Sequence, residues 1–274
     1  SESPYTFDVT GYGVHPLITI PLIASGATYN SFPGEQKVND AGTAVTFTIN
    51  NTGSTPLNLL STPNVIITGT DSTYFAVTQP LSSSIIASGS TTFTITFNPV
   101  NLAGVGFKTA DIAIYNDSTN EPLYTFTITG TGTTPQIEMN GGALTPLSTY
   151  TWANTVNYGD GAQAETFTIN NTGNAHLDLT GAPLVELSGA DAAYFTVSTM
   201  PGTPISAGGD TTFIVEFHPT LTESDGLVAL GTKSATVTIP NDDLDASPNG
   251  DPFVFYIEAT CVDTSDPVIT ITSP

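Results

Sequence analysis

The sequence predicts an all-β fold, two tandem β-sandwich domains with an extra N-terminal strand and a C-terminal tail strand. Apolar and polar residues alternate with the period of a strand that buries one face, no stretch sustains a helical period, and whole blocks recur about 120 residues apart. TFTINNTG at 46–53 returns unchanged at 166–173, DSTYFAV at 71–77 returns as DAAYFTV at 191–197, and SGSTTFTITFNP at 88–99 matches GGDTTFIVEFHP at 208–219, each with a shift of 120. Lys233 follows Lys108 by 125, so the loop 220–231 is five residues longer, as insertions collect in surface loops.

The pattern that closes each unit occurs three times: YTFDVTGYG at 5–13, YTFTITGTG at 124–132 and FVFYIEATC at 253–261. A proline follows each copy, at Pro16, Pro135 and Pro267, and a short apolar strand comes next. The chain therefore reads as residues 1–16, an orphan closing strand and joint; 17–134 and 135–263, two domains; and 264–274, a tail strand that opens a further unit. It reads as a piece of a longer repeat or a subunit built to join others. The orphan strand is expected to dock on a neighbour through Tyr5, Phe7 and Val9, with Val268, Ile269 and Ile271 of the tail as a second strand-docking set, because an unpaired strand is a template for association.

Within domain 1, Leu17–Ile23 predicts a first strand that Pro21 confines to an edge. Residues 24–42 read as a loop with one short strand, and Thr43–Asn50 as a core strand. Asn51, Thr52 and Gly53 read as a turn, Leu57–Leu60 and Val65–Ile67 as short strands, and Tyr74, Phe75 and Val77 as anchors of another. Residues 88–99, 108–117 and 124–132 complete about seven strands, and domain 2 repeats the order. The predicted core is Phe47, Ile49, Phe93, Ile95, Phe97, Ile114 and Phe126, matched by Phe167, Ile169, Phe213, Val215, Phe217, Val237 and Phe255. Seven short strands per unit with turns between them and no disulfide indicate an immunoglobulin-like sandwich.

Twenty-five acidic residues face three lysines and no arginine, a formal net charge of −22. Nucleic acid and anionic membrane surfaces are excluded as partners, since both need clustered Lys and Arg. The acidity reads either as solubility in a salty, cation-rich medium or as calcium sites between acidic loops. Cys261 is the only cysteine, so no disulfide forms within the chain. It replaces Gly132 of the earlier copy, as a small residue at a strand end. No apolar run approaches the ~20 residues of a membrane span.

No residue set looks catalytic, and the chain is expected not to be an enzyme. His15, His176 and His218 occupy different repeat positions, and neither a nucleophile elbow nor a phosphate loop is present. No cofactor is expected apart from calcium. Its candidate ligands are Asp242, Asp243, Asp245, Asn249 and Asp251 in NDDLDASPNGD, whose oxygens suit that cation. The shorter counterpart NDSTNE at 116–121 reads as an ordinary Asx turn. Asn50, Asn116 and Asn170 are N-glycosylation sequons. Tyr12, Tyr29, Tyr150, Trp152 and Tyr158 read as packing near domain joints before they read as a sugar platform.

The order FTINNTG, xGxDxxYFxV, GGxTTFxxxFxP, AxxxIxND and YTFxxxGxG, found twice, resembles the choice-of-anchor D immunoglobulin-like repeat, related to the Hydin and ASPM/SPD-2/Hydin-type domains. The resemblance spans about 17–261 plus the orphan strand, with ATC in place of GTG at the end of domain 2. It implies a structural or adhesive module in a large secreted bacterial surface protein, extracellular and without enzyme activity. The expected function is a non-catalytic segment of an extracellular fibre or surface array, linked end to end by β-strand pairing to copies of itself or to adjacent repeats. An adhesin or carbohydrate-binding segment that recognises surface glycans is the alternative.

Overall fold

A computed structural model describes residues 4–30, 32, 35–219, 230–244 and 250–264. The chain divides into two units, 1–132 and 133–274. Unit 1 contains β1 (Ile18–Thr19), β2 (Thr28–Tyr29), β3 (Gln36–Lys37), β4 (Ala44–Asn51), β5 (Leu57–Asn58), β6 (Ile66–Thr68), β7 (Phe75–Thr78), β8 (Ser84–Ile85), β9 (Ser90–Phe97), β10 (Gly106–Tyr115) and β11 (Leu123–Thr133). Unit 2 contains β12 (Ile137–Met139), β13 (Thr149–Thr151), β14 (Val156–Asn157), β15 (Gln163–Asn171), β16 (Glu186–Ser188), β17 (Phe195–Thr199), β18 (Asp210–Phe217), β19 (Gly231–Ile239) and β20 (Phe253–Val262).

Each unit is a two-sheet sandwich. In unit 1 one sheet runs β1-β4-β9-β7 and the other β2-β11-β10-β6, with β3 also on β11; β5 and β8 form a separate pair. Unit 2 repeats this as β12-β15-β18-β17 and β13-β20-β19-β16, with β14 also on β20. The closing strands β11 and β20 are interior. Each pairs antiparallel with the strand before it along nearly its whole length, and on its other edge takes a short strand in parallel, β2 on β11 and β13 on β20.

Alternation decides what each long strand buries. Along β4 and β9 the inward residues Phe47, Ile49, Phe93, Ile95 and Phe97 are buried, while the outward threonines face one another across the ladder as Thr46↔Thr94 and Thr48↔Thr92. Such cross-strand pairs stabilise an exposed face without apolar surface. All fourteen core residues named from the sequence are buried. One correspondence needs correcting: Val237 matches Ile112 and not Ile114, because these two lie opposite Phe255 and Phe126 in their ladders.

The two cores share one aromatic arrangement. Phe47 stacks on Phe93 of its own sheet at 5.2 Å and reaches Phe126 of the facing sheet at 5.4 Å; Phe167 does the same with Phe213 at 5.2 Å and Phe255 at 5.4 Å. Tyr29 and Tyr150 each close edge-on against that first ring at 5.0 Å. The Lys108 ammonium sits 5.1 Å from the Tyr74 ring centre, and the buried Lys233 sits 4.6 Å from the buried Tyr194 ring.

Several short elements differ from the sequence reading. Leu17–Ile23 pairs only at Ile18 and Thr19, because Pro21 and Leu22 already turn. Among its described residues the loop 24–42 holds two short strands, not one. The YF motif opens with a single 3-10 turn, Ser72–Tyr74 and Ala192–Tyr194, before β7 and β17 begin at the phenylalanine.

Asn51 and Asn171 look like turn residues in sequence and are instead buried hubs. The Asn51 amide donates to the carbonyls of Thr55 (2.7 Å), Ile85 (3.0 Å) and Ile86 (3.1 Å), and its Oδ1 accepts from Gly53 N at 3.0 Å. Asn171 repeats the pattern with Ala175 (2.7 Å), Ile205 (2.9 Å) and Gly173 N (3.1 Å). Gly53 and Gly173 follow because a Cβ there would collide with the backbone of the incoming joint, His15–Leu17 or Thr134–Gln136.

Trp152, the only tryptophan, packs on Phe195 in the unit 2 core, so its fluorescence reports the unfolding of that unit. Phe167→Ala is expected to cost about 3 to 5 kcal/mol and to shift the denaturation midpoint read from Trp152. Phe47→Ala is expected to leave that midpoint in place while lowering the stability of unit 1, measured by hydrogen exchange of β4 and β9.

Candidate functional site

Residues 4–17 form no ladder with any of the described residues, and they hold the most exposed large apolar side chains of the N-terminal region: Tyr5 at 99%, Phe7 at 83%, Val9 at 82% and Tyr12 at 96%. What such a sequence does when it is paired is visible in β11. There the Tyr124 hydroxyl donates to the Ile23 carbonyl at 2.5 Å, and burial raises its pKa above the usual tyrosine value. Phe126 and Ile128 enter the core. A Cβ on Gly130 would lie 2.7 Å from the Phe97 ring, and one on Gly132 would collide with the Gly104 carbonyl. Tyr5, Phe7, Val9, Gly11 and Gly13 occupy the same five positions of the motif, and Gly11 and Gly13 have nothing near them here.

The frame extends through the joint. Tyr5 to Tyr124 is a shift of 119, and the same shift takes Pro16 to Pro135 and Ile18 to Ile137. The His15 carbonyl accepts from Ser54 N at 3.0 Å, as the Thr134 carbonyl accepts from Asn174 N at 3.1 Å; the Leu17 and Gln136 carbonyls accept from Thr52 N and Thr172 N, each at 2.9 Å. Residues 5–16 thus stand to unit 1 in the chain as 124–135 stand to unit 2. Val268, Ile269 and Ile271, the other expected docking residues, lie outside the described residues.

Three of the five candidate calcium ligands accept hydrogen bonds from backbone amides. Asp243 is buried and its Oδ2 accepts from Ile137 N at 2.9 Å, the position served in unit 1 by Ser118 Oγ, which accepts from Ile18 N at 3.1 Å. Asp242 Oδ1 accepts from Asp178 N at 2.9 Å, and Asp251 Oδ1 accepts from Asn241 N at 3.0 Å. Asp245 and Asn249 lie outside the described residues. Among the described residues no three His, Cys, Asp or Glu side chains converge as metal ligands would.

Asn116 needs correction as a glycosylation site. It is buried, and its amide nitrogen donates to the carbonyls of Ile114 (3.1 Å) and Glu121 (3.0 Å), which leaves no room for a glycan on the folded unit. Asn241 makes the equivalent bonds to Ile239 (2.9 Å) and Gly250 (3.2 Å). Asn50 and Asn170 are half-buried, one residue from the ends of β4 and β15, and Asn170 Oδ1 accepts from Gly141 N at 2.9 Å. Tyr29, Tyr150 and Trp152 belong to the aromatic packing of the cores, while Tyr12 and Tyr158 are exposed.

His176 Nε2 lies 3.2 Å from Asp178 in an exposed turn, and the buried Nε2 of half-buried His218 lies 4.0 Å from Glu216. The Cys261 sulfur is buried 3.9 Å from the Pro219 carbonyl. Burial raises its pKa, with the Asp160 and Asp263 carboxylates adding and Lys233 opposing.

No family model matches the chain, and no curated protein matches it. Solved structures with similar strand arrangements include the human CEP192 ASH/PapD-like domain 7 (12% identity, 48% of this chain and 89% of that one, TM-score 0.32). The YadV chaperone is another (11% identity, 88% and 98%, TM-score 0.28). A third is the protocadherin gamma B7 extracellular cadherin domains 1–4 (7% identity, 90% of this chain, TM-score 0.37), of which this chain spans about half, 51%. The sandwich assignment rests on the ladders of the chain itself.

Two measurements follow from this geometry. Cys261 is expected to resist anionic disulfide reagents at neutral pH and to react once unit 2 unfolds, since the thiolate is the nucleophile and burial disfavours it. Asp243→Ala is expected to lower unit 2 stability by about 1 to 3 kcal/mol, the cost of an unsatisfied buried amide, equally with added calcium and with chelator. A destabilisation seen only with calcium present would instead make Asp243 a metal ligand.

Proposed function

We propose that the chain is a non-catalytic structural segment of an extracellular fibre or surface array, built from tandem immunoglobulin-like units and linked end to end through β-strand pairing. The observation that carries this reading is the third copy of the closing strand, at residues 5–13, which exposes its apolar side chains and finds no ladder among the described residues. The described residues of the two units form two sandwiches, and their repeated motifs, Asn51 with Asn171, Asn116 with Asn241 and Lys108 with Lys233, all serve the internal structure of a unit. The motif order that resembles the choice-of-anchor D repeat supports the same reading.

The acidic, lysine-poor surface fits a secreted module. At 25 acidic residues to three basic ones it repels copies of itself side by side and leaves strand pairing at the ends as the route to association. Electron microscopy of native material is expected to show linear strings of domain-sized beads. Isolated compact particles, together with a melting shift on adding surface glycans, would replace this reading with that of a glycan-binding segment.

A further inference from the structure

We propose that residues 5–13 are the closing strand of a separate immunoglobulin-like unit that precedes unit 1 in a tandem array, and that Asp8 selects the unit that accepts them. This rests on the array reading above and adds the identity of the acceptor.

The first ground is the slot. A closing strand of this fold lies inside its sheet, between an antiparallel neighbour such as β10 and a short parallel one such as β2. An acceptor must therefore lack its own last strand, because an occupied sheet offers no such gap. In both units here the slot is filled, by β11 and by β20, so a second copy could accept the segment only by losing a ladder it already has. The constant shift of 119 from Tyr5 through Pro16 to Ile18 places the acceptor before unit 1, as unit 1 stands before unit 2.

The second ground is register. Within the slot, Thr127 lies opposite Asp111 and its hydroxyl donates to the Asp111 carboxylate at 2.8 Å. Asp8 takes the place of Thr127 in the motif. In a slot like that of unit 1 it would set two carboxylates directly opposite each other, which destabilises a sheet. At the same position unit 2 has Tyr256 opposite Thr236, a neutral hydroxyl. The acceptor therefore presents a hydroxyl, amide or basic group opposite Asp8. It also supplies a backbone carbonyl for the Tyr5 hydroxyl and an aromatic ring against Gly11, as Ile23 and Phe97 do for Tyr124 and Gly130.

A graft in the full chain tests this. Thr127→Asp, Ile128→Val and Thr131→Tyr give residues 124–132 the sequence of 5–13. The readout is hydrogen exchange of β10, the neighbour of the grafted strand. With Asp111→Thr added, protection of β10 is expected to stay within about tenfold of the unaltered chain, and without it to fall further, since local opening follows the stability of the pair. A control with the same nine residues slipped by one position, which turns the apolar face outward, is expected to lose protection.

Loss of protection in the graft with Asp111→Thr, or retention in the slipped control, would overturn the strand assignment. Equal protection with and without Asp111→Thr would overturn selection by Asp8. In sedimentation the unaltered chain is expected to be monomeric; a dimer abolished by Phe7→Asp would put the acceptor on a second copy and overturn its place before unit 1. None of these readouts depends on native material being a fibre, so the array reading stands or falls separately.

Discussion

A sandwich whose last strand lies inside a sheet is incomplete until that strand arrives. In each unit the final strand supplies a core ring, Phe126 or Phe255, that meets Phe47 or Phe167 across the two sheets at 5.4 Å. It also satisfies the backbone of the strand before it along nearly its whole length and of a short parallel strand on its other side. Removing it would open both an apolar groove and two rows of unpaired amides and carbonyls, and buried backbone groups of that kind are rarely left unmet. Lys108, which makes the cation-π contact with Tyr74, lies on β10, the strand that this one pairs.

The same dependence underlies the proposal for the exposed segment 5–13. Its apolar residues hold the motif positions that β11 buries, its glycines hold those of Gly130 and Gly132, and in this chain they meet solvent. Burial of three such side chains contributes roughly 1.5 to 3 kcal/mol each, and ordering nine residues costs about 1 to 2 kcal/mol each. Hydrogen bonds on both edges, at roughly 0.5 to 1.5 kcal/mol net apiece, bring the balance close to even. A slot with two edges is better placed to hold the segment than an open sheet edge with one.

The long strands, the core rings and the division into two units were legible because period-2 alternation and exact block repeats are local signals. The parallel strands were not, since two or three residues carry no period and their pairing is set by the free edge of β11 or β20. Asn51 and Asn171 read as turn residues because their partners lie up to 35 residues away. Asp243 of the acidic hairpin has the chemistry of a metal ligand, and its hydrogen bond with Ile137 N, 106 residues distant, is visible only in the fold. The likeness of residues 5–13 to β11 was legible from repetition alone, whereas the proposal for Asp8 needed the register of Thr127 against Asp111.

Hydrogen exchange of residues 5–13, compared between the isolated chain and assembled native material, tests the central claim most directly. Pairing in a slot predicts fast exchange in the isolated chain and protection comparable to that of β11 in the assembled material. Equally fast exchange in both would contradict it.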